Sequence, residues 1–301
     1  MNKFSDESVY SFIEYLQIER NYSEYTIDFY KKDIEQFSLF MNAQGIRSFS
    51  DVEYFDARLY VTELYHQKLA RASASRKISC LRSFYKFLLR EGLVKENPFS
   101  LIIQPKSGIK IPSFFYEKEM DLLFEACMES TPLSIRNLAL IELLYATGTR
   151  VSECAKIQLK DIDFDFSTIL VKGKGRKERY VPFGSFANEA LQKYIQHGAR
   201  KELLNGLEDH QFLFVNSRGG PLTERGIRHI LKTVIESASL TGKIHPHMIR
   251  HSFATHLLNN GADMRTVQEL LGHAHLSSTQ VYTHVTKEHL RKTYMNHHPR
   301  A

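Results

Sequence analysis

Four stretches of this sequence combine residue types suited to work on a phosphate ester. In His247-Met-Ile-Arg250, just after Pro246, a spacing of three sets histidine and arginine on one face at the start of a helix. Ile249, Phe253, Leu257 and Leu258 supply a separate apolar stripe, which leaves His247 and Arg250 outside the packing. In Thr147-Gly-Thr-Arg150-Val-Ser-Glu153 an arginine follows a helix-ending glycine, and its guanidinium fork matches a pair of phosphate oxygens at any working pH. A surface pair between Arg150 and Glu153 is the plainer alternative. Lys174 lies between glycines in Val-Lys-Gly-Lys-Gly-Arg-Lys-Glu-Arg, where the backbone bends sharply enough for a hairpin tip to approach a ligand; a solvated basic tip would read the same way. Finally, His273 of Leu-Leu-Gly-His lies nine residues before Tyr282. A tyrosine, with a free pKa of about 10, is a poor nucleophile unless nearby cations stabilise its phenolate. Spacing alone does not single out Tyr282 among 15 tyrosines.

The elements that must position these residues are mostly helices. A chain of 301 residues, 43% of them apolar, suits two domains with cores of their own. Its three cysteines, Cys80, Cys127 and Cys154, form no C-x-x-C pair, so neither a disulfide framework nor a zinc finger is legible and a reducing cytoplasm fits. The start MNKFSDESVYSF has no basic-then-apolar signal, and no apolar stretch approaches the roughly 18 residues of a membrane span. Periodicity predicts helices over 6–20, 23–41 (after a Ser23 cap), 54–69 and 73–91, the last with Ile78, Leu81, Phe84 or Tyr85, and Leu88 as its buried stripe. The net charge of +6 permits a nucleic-acid partner, and its distribution says more. Seven basic residues between Leu64 and Arg90 (Lys68, Arg71, Arg76, Lys77, Arg82, Lys86, Arg90) occur without an acid. Arg82, Lys86 and Arg90 recur every four residues, which reads as a phosphate-facing or a merely solvated helix face.

The stretch from Asn97-Pro98 to Pro112 breaks the pattern and reads as an inter-domain linker, with domains expected over 1–100 and 113–301 joined by 101–112. Beyond it, helices are predicted over 117–128, 133–146 and 150–159, with Gly148 as a stop. A β-hairpin follows, its strands over 167–172 and 177–183 and Lys174 at its tip. Helices resume over 186–197, 223–237, 247–260 and 264–271. The expected fold is mainly α: a helical N-terminal domain and a mostly helical α+β second domain with a small antiparallel sheet.

In order and flanks, Arg150, Lys174, His247-x-x-Arg250, His273 and Tyr282 resemble the signature of the tyrosine recombinase (phage integrase) family, of Xer type. The segments ATGTRVSE, VKGKGRKERYVPF, HPHMIRHSFATHLL and QELLGHAHLSSTQVYTHV carry the likeness, which extends over nearly the whole chain. The resemblance implies site-specific DNA breaking and rejoining through a 3′-phosphotyrosyl link at Tyr282, with no metal and no nucleotide cofactor. It implies that Arg150 and Arg250 hold the scissile phosphate, Lys174 protonates the leaving 5′-oxygen, His247 assists proton transfer at Tyr282 and His273 donates to the phosphate. A SAM-like core-binding domain at the N-terminus would grip double-stranded DNA, giving Arg76, Arg82 and Lys86 a role at its phosphates. The segment after Tyr282, too polar and short for a core of its own, would contact a neighbouring subunit in a cyclic heterotetramer with a sister recombinase. A division-linked DNA translocase and chromosome-dimer resolution at a dif-like site complete the implied setting.

Three rival readings stay open. A metal-dependent nuclease is motivated by 14 histidines, including His247 and His251 one helical turn apart, but no H-E-x-x-H occurs. A DNA-binding protein without catalysis fits the basic helix. A type IB topoisomerase would share the covalent chemistry while acting alone.

Overall fold

Polar residues, Ser23 and Glu53, stand at the starts of two N-terminal helices, and these helices pack by their apolar stripes. In the computed structural model, which describes residues 3–20, 22–103, 114–173, 178–240, 247–272 and 287–301, the chain divides into two compact units, 1–110 and 111–301. The first contains α1 (Lys3–Ile18), α2 (Glu24–Ala43), α3 (Tyr54–His66) and α4 (Arg71–Arg90). Ser23 accepts from the Thr26 amide and starts α2. Ile78, Leu81, Phe84, Tyr85 and Leu88 of α4 are all buried, meeting Phe12, Leu16, Ile34, Phe37, Tyr60 and Leu64 of the other three helices. The proline-bearing stretch after α4 begins inside this core: Phe99 and Ile102 are buried, and Arg82 donates to the carbonyls of both, at 3.0 and 2.6 Å.

The second unit runs α5 (Glu117–Glu125), α6 (Pro132–Thr147), α7 (Val151–Cys154), β1 (Ile162–Asp163), β2 (Thr168–Lys172), β3 (Glu178–Pro182), α8 (Ser185–Gln196), α9 (Ala199–Leu204), α10 (Glu224–Ser237), α11 (His247–Asn259), α12 (Met264–Leu271) and α13 (Lys287–His297). The strands form one antiparallel sheet in the order β1-β2-β3, with Lys172 opposite Glu178 at the hairpin end. Helix α6 is buried on every side from Ala139 to Thr147 and packs against α8, α9 and α11, which makes it the centre of this core. The mainly α fold with a small antiparallel sheet is as predicted. Among the described residues no helix is long and apolar enough to cross a membrane.

Four elements differ from the sequence reading. The helix expected over 150–159 is a single turn, because Leu159 donates its amide to the Gln211 carbonyl and Ile157 accepts from Leu213, drawing the chain into an extended contact. Strand β1 is two residues long and α9 six, too short for periodicity to register. The segment 287–301 forms α13 and closes on its own unit. Tyr294 is fully buried and its hydroxyl accepts from the Gly184 amide at 3.0 Å, while Arg300 pairs with buried Glu142 and lies over the rings of Phe124 and Phe186.

His298 is buried in the same place, stacked on Tyr294 and packed on Tyr145 and Phe253. Burial, before the nearby charges of His256 and Arg300, pushes its imidazole down to about 3 from 6.5. His256, which hydrogen-bonds the Tyr145 hydroxyl at 2.7 Å, is shifted the same way, again mainly by burial. The released segment therefore takes up a proton that the docked one refuses, so docking is fully present above pH 6.5 and weakens as pH falls toward 3. Between pH 7.5 and 5.5 the docked-to-released ratio is expected to drop about tenfold, read from the Met295 methyl NMR signal. His298→Gln should flatten most of that dependence; an equally steep response would show that another group controls it.

Candidate active site

Arg150 takes its place from a helix end and a helix start. Gly148 closes α6 in the left-handed region at φ 55°, and a Cβ there would collide with the Phe253 ring. The chain then turns, and Arg150 becomes the N-cap of α7, its amide donating to Glu153 at 2.9 Å. Its guanidinium donates to the same carboxylate at 2.8 Å and stays 38% exposed, poised at the surface. The pairing named as the plainer alternative therefore exists, but Glu153 is 5% exposed and serves a second cation. Arg179, on the face of β3 that also presents buried Val181, grips it with both terminal nitrogens, at 3.2 and 2.9 Å. Burial alone would raise the Glu153 carboxyl; the hydrogen bonds from Arg179 and Arg150 outweigh it and hold the group below the usual carboxylate range.

Arg250, one turn into α11, is 9% exposed. Its two terminal nitrogens donate to main-chain carbonyls, those of Gly148 at the end of α6 and of Leu271 at the end of α12, the latter at 2.7 Å. Helix C-termini leave such carbonyls without partners and favour a cation beside them. Burial first, and repulsion from Arg150 next, push Arg250 down to about 10, so it is still charged at neutral pH. Since a guanidinium has five N–H groups, two used on carbonyls leave three for an anion. His247, the exposed first residue of α11, precedes three buried ones. Partial desolvation of the ring, then His251, Arg250, Arg150 and Arg228, hold its imidazole below its usual value.

Three arginines around one carboxylate leave a net positive charge at the meeting point of α7, β3, α11 and the end of α12. That arrangement suits a doubly liganded phosphate oxygen pair. Lys174, His273 and Tyr282 lie outside the described residues, as does Pro246. β2 ends two residues before Lys174 in the sequence, and α12 ends two before His273. Arg179 and Glu153 were not assigned from sequence as parts of the site. Only the alternation along β3, which sets Arg179 on the same face as Val181, hinted that the former points inward. Among the described residues no group of three or more His, Cys, Asp or Glu side chains is arranged to hold a metal ion.

In the N-terminal unit the structure engages two of the three residues expected at DNA. Arg76 forms a forked pair with buried Asp33, which Lys77 also meets at 2.8 Å, and Arg82 holds the 99–102 turn. Arg90 pairs with Glu19 and Glu91. The run that is free of acids along the chain is thus supplied with acids by α2 and the end of α1. Lys86 is exposed, and among the described residues no hydrogen bond or ion pair engages it.

Comparison with known proteins adds a second line. The pattern of the phage integrase family matches residues 113–289, and that of the phage integrase N-terminal SAM-like domain matches residues 9–92. The chain is 58% identical to the tyrosine recombinase XerC of Bacillus subtilis over 96% of its own length and 95% of that protein's. It is 61% identical to the tyrosine recombinase XerC of Bacillus licheniformis over the same shares. Among solved structures it resembles the XerH site-specific recombinase bound to palindromic difH substrate in a post-cleavage complex, with a TM-score of 0.69 and 26% identity, over 91% of this chain and 80% of that one.

Proposed function

The chain belongs to the phage integrase family of tyrosine recombinases, site-specific enzymes that break and rejoin DNA through a tyrosine, and on that premise we propose that its nucleophile is Tyr282 and its target a dif-like chromosomal site. The Tyr282 oxygen bonds to the scissile phosphorus as the bond to the 5′-oxygen breaks, leaving a 3′-phosphotyrosyl link and a 5′-hydroxyl. His247 receives the phenolic proton and Lys174 supplies one to the leaving oxygen. Arg150 and Arg250 hold the non-bridging oxygens, with a hydrogen bond from His273. One phosphodiester replaces another, so the step is near neutral in energy and a 5′-hydroxyl from either strand reverses it. The observation that carries the reading is Arg250 bonded to the carbonyls that end α6 and α12, with Arg150 just beyond the end of α6 and held by Glu153.

The N-terminal unit grips duplex DNA, with Lys86 at a phosphate; Arg76 and Arg82 shape the domain that presents it. Lys86→Ala is expected to weaken binding and lower the salt slope by about one, while bound complexes still cleave. Arg76→Ala should instead lower stability by about 1–2 kcal/mol, the exposure of Arg76 and the remaining Lys77 contact limiting the loss. Equal salt slopes for Lys86→Ala and wild type would remove Lys86 from the interface. Assembly is a ring of four with a sister recombinase, in the cytoplasm, alongside a division-linked DNA translocase, and the product is a chromosome monomer. The deciding experiment incubates the protein with a nicked suicide duplex bearing the host's dif-like site and looks for a denaturation-resistant complex. Its formation in the presence of a chelator supports the reading, and strand cleavage without an adduct sinks it.

A further inference from the structure

Arg179 joins three parts of the candidate site that are distant in the sequence. It stands on β3, opposite Val171 of β2, in the hairpin whose tip includes Lys174. Its terminal nitrogens hold Glu153, which in turn fixes both the amide and the guanidinium of Arg150. Its Nε donates to the Leu270 carbonyl at 3.1 Å, one residue before the carbonyl that Arg250 holds. The left-handed Gly272 that ends α12 at φ 65° lies so close that a Cβ there would come within 3.0 Å of the Arg179 side chain. The side chain is 15% exposed, so it is largely removed from water, and its hydrogen bonds all turn inward.

From this geometry we infer that Arg179 is a positioning residue for DNA cleavage, locking Arg150 and the outgoing end of α12 to β3, the strand that follows Lys174 in the chain. The inference rests on the assignment of Arg150, Lys174 and Tyr282 proposed above. Arg179 touches neither phosphate nor nucleophile in this role; it fixes the angle at which Arg150 meets the phosphate and the point from which the chain departs toward His273. A lysine cannot replace it, because a point charge cannot grip both carboxylate oxygens and a carbonyl at once. Misplacing a catalytic group by about 1 Å is worth roughly 100-fold in rate. Loss of Arg179 also leaves Glu153 facing Arg150 alone, with Arg250 nearby, so its carboxyl should take a proton at a higher pH than before.

The test compares wild type, Arg179→Ala, Arg179→Lys and Tyr282→Phe on the nicked suicide duplex, measuring DNA affinity, single-turnover adduct formation at saturating DNA from pH 5.5 to 8.5, and thermal melting. Both Arg179 variants are expected to bind DNA within about threefold of wild type and to form adduct about 100-fold more slowly. Their rates should fall more steeply below neutral pH than the wild-type rate, in which protonation of His247 is the expected loss, a change of pH profile that a purely structural defect would not create. Should Arg179→Ala fail to fold, Arg179→Lys, which keeps the charge, carries the comparison by itself. An Arg179→Lys that cleaves at the wild-type rate, or whose loss follows melting temperature with an unchanged pH profile, overturns the assignment of Arg179 alone. A wild type that forms no adduct, or a Tyr282→Phe that does, overturns the reading of the site on which it rests.

Discussion

Tyr282→Phe is expected to bind its DNA site with wild-type affinity and to form no covalent complex, a loss of at least about 10⁴-fold in adduct formation. The change removes one oxygen and keeps the ring, so packing and the DNA-facing charges stay as they were. What disappears is the atom proposed to accept the phosphoryl group. A phenol with an ordinary pKa of about 10 is mostly protonated at neutral pH, and its reactivity depends on the field around it. Arg150, Arg179 and Arg250 surround the single carboxylate of Glu153, which leaves a positive field near the end of α12, eleven residues before Tyr282 in the sequence. Denaturing gel electrophoresis of the suicide-substrate reaction reads the result directly. An adduct that persists in Tyr282→Phe would move the nucleophile to another residue; unaltered strand cleavage without any adduct would favour hydrolysis.

Arg250→Ala should be nearly as severe in rate and, unlike the first variant, should also reduce stability. Removing an arginine that holds a transition-state oxygen typically lowers the rate by about 10²–10³-fold. The same truncation leaves the buried carbonyls of Gly148 and Leu271 without their donor, at about 1–3 kcal/mol each. Arg250→Lys separates the two effects. Its ammonium keeps the charge and reaches one carbonyl at a time, so stability should be partly restored while adduct formation remains about 100-fold down. Because Arg250 is pushed down only to about 10, its charge is complete at neutral pH and wild-type activity should show no titration of this group below about pH 9. Melting curves and single-turnover rates for both variants decide the matter, and an Arg250→Lys as active as wild type would remove the fork from the mechanism.

The long helices were legible because their apolar positions recur at helical spacing. The stripe Ile78, Leu81, Phe84, Tyr85 and Leu88 is buried as that spacing requires. Strand β1 and helix α9 escaped, since two and six residues are too few for a period to show. Helix α13 escaped for another reason: its interior contribution is concentrated in Tyr294 and the polar neighbours that follow it, a burial that depends on surfaces supplied by α6 and the turn before α8. The same blindness to distant partners affected the charges. Arg76 looked unopposed along the chain, yet Asp33, 43 positions earlier, folds against it. At the candidate site, Arg150, His247 and Arg250 were visible as motif residues, and the structure sets both arginines about the end of one helix. Arg179 could not be singled out, because nothing in a strand's sequence says that a basic side chain on its inner face meets a buried acid.

Gly184, in the turn between β3 and α8, offers a means of experimental control over the end of the chain. A methyl group at that position and the ordered residues around Arg300 cannot occupy the same space, since the added carbon would overlap the Arg300 carbonyl. Gly184→Ala therefore displaces the main chain of Arg300 and Ala301 by bulk alone, without altering a charged side chain. It provides a variant in which the effect of a disturbed C-terminal packing on melting temperature and on adduct formation can be measured separately from the charge of His298.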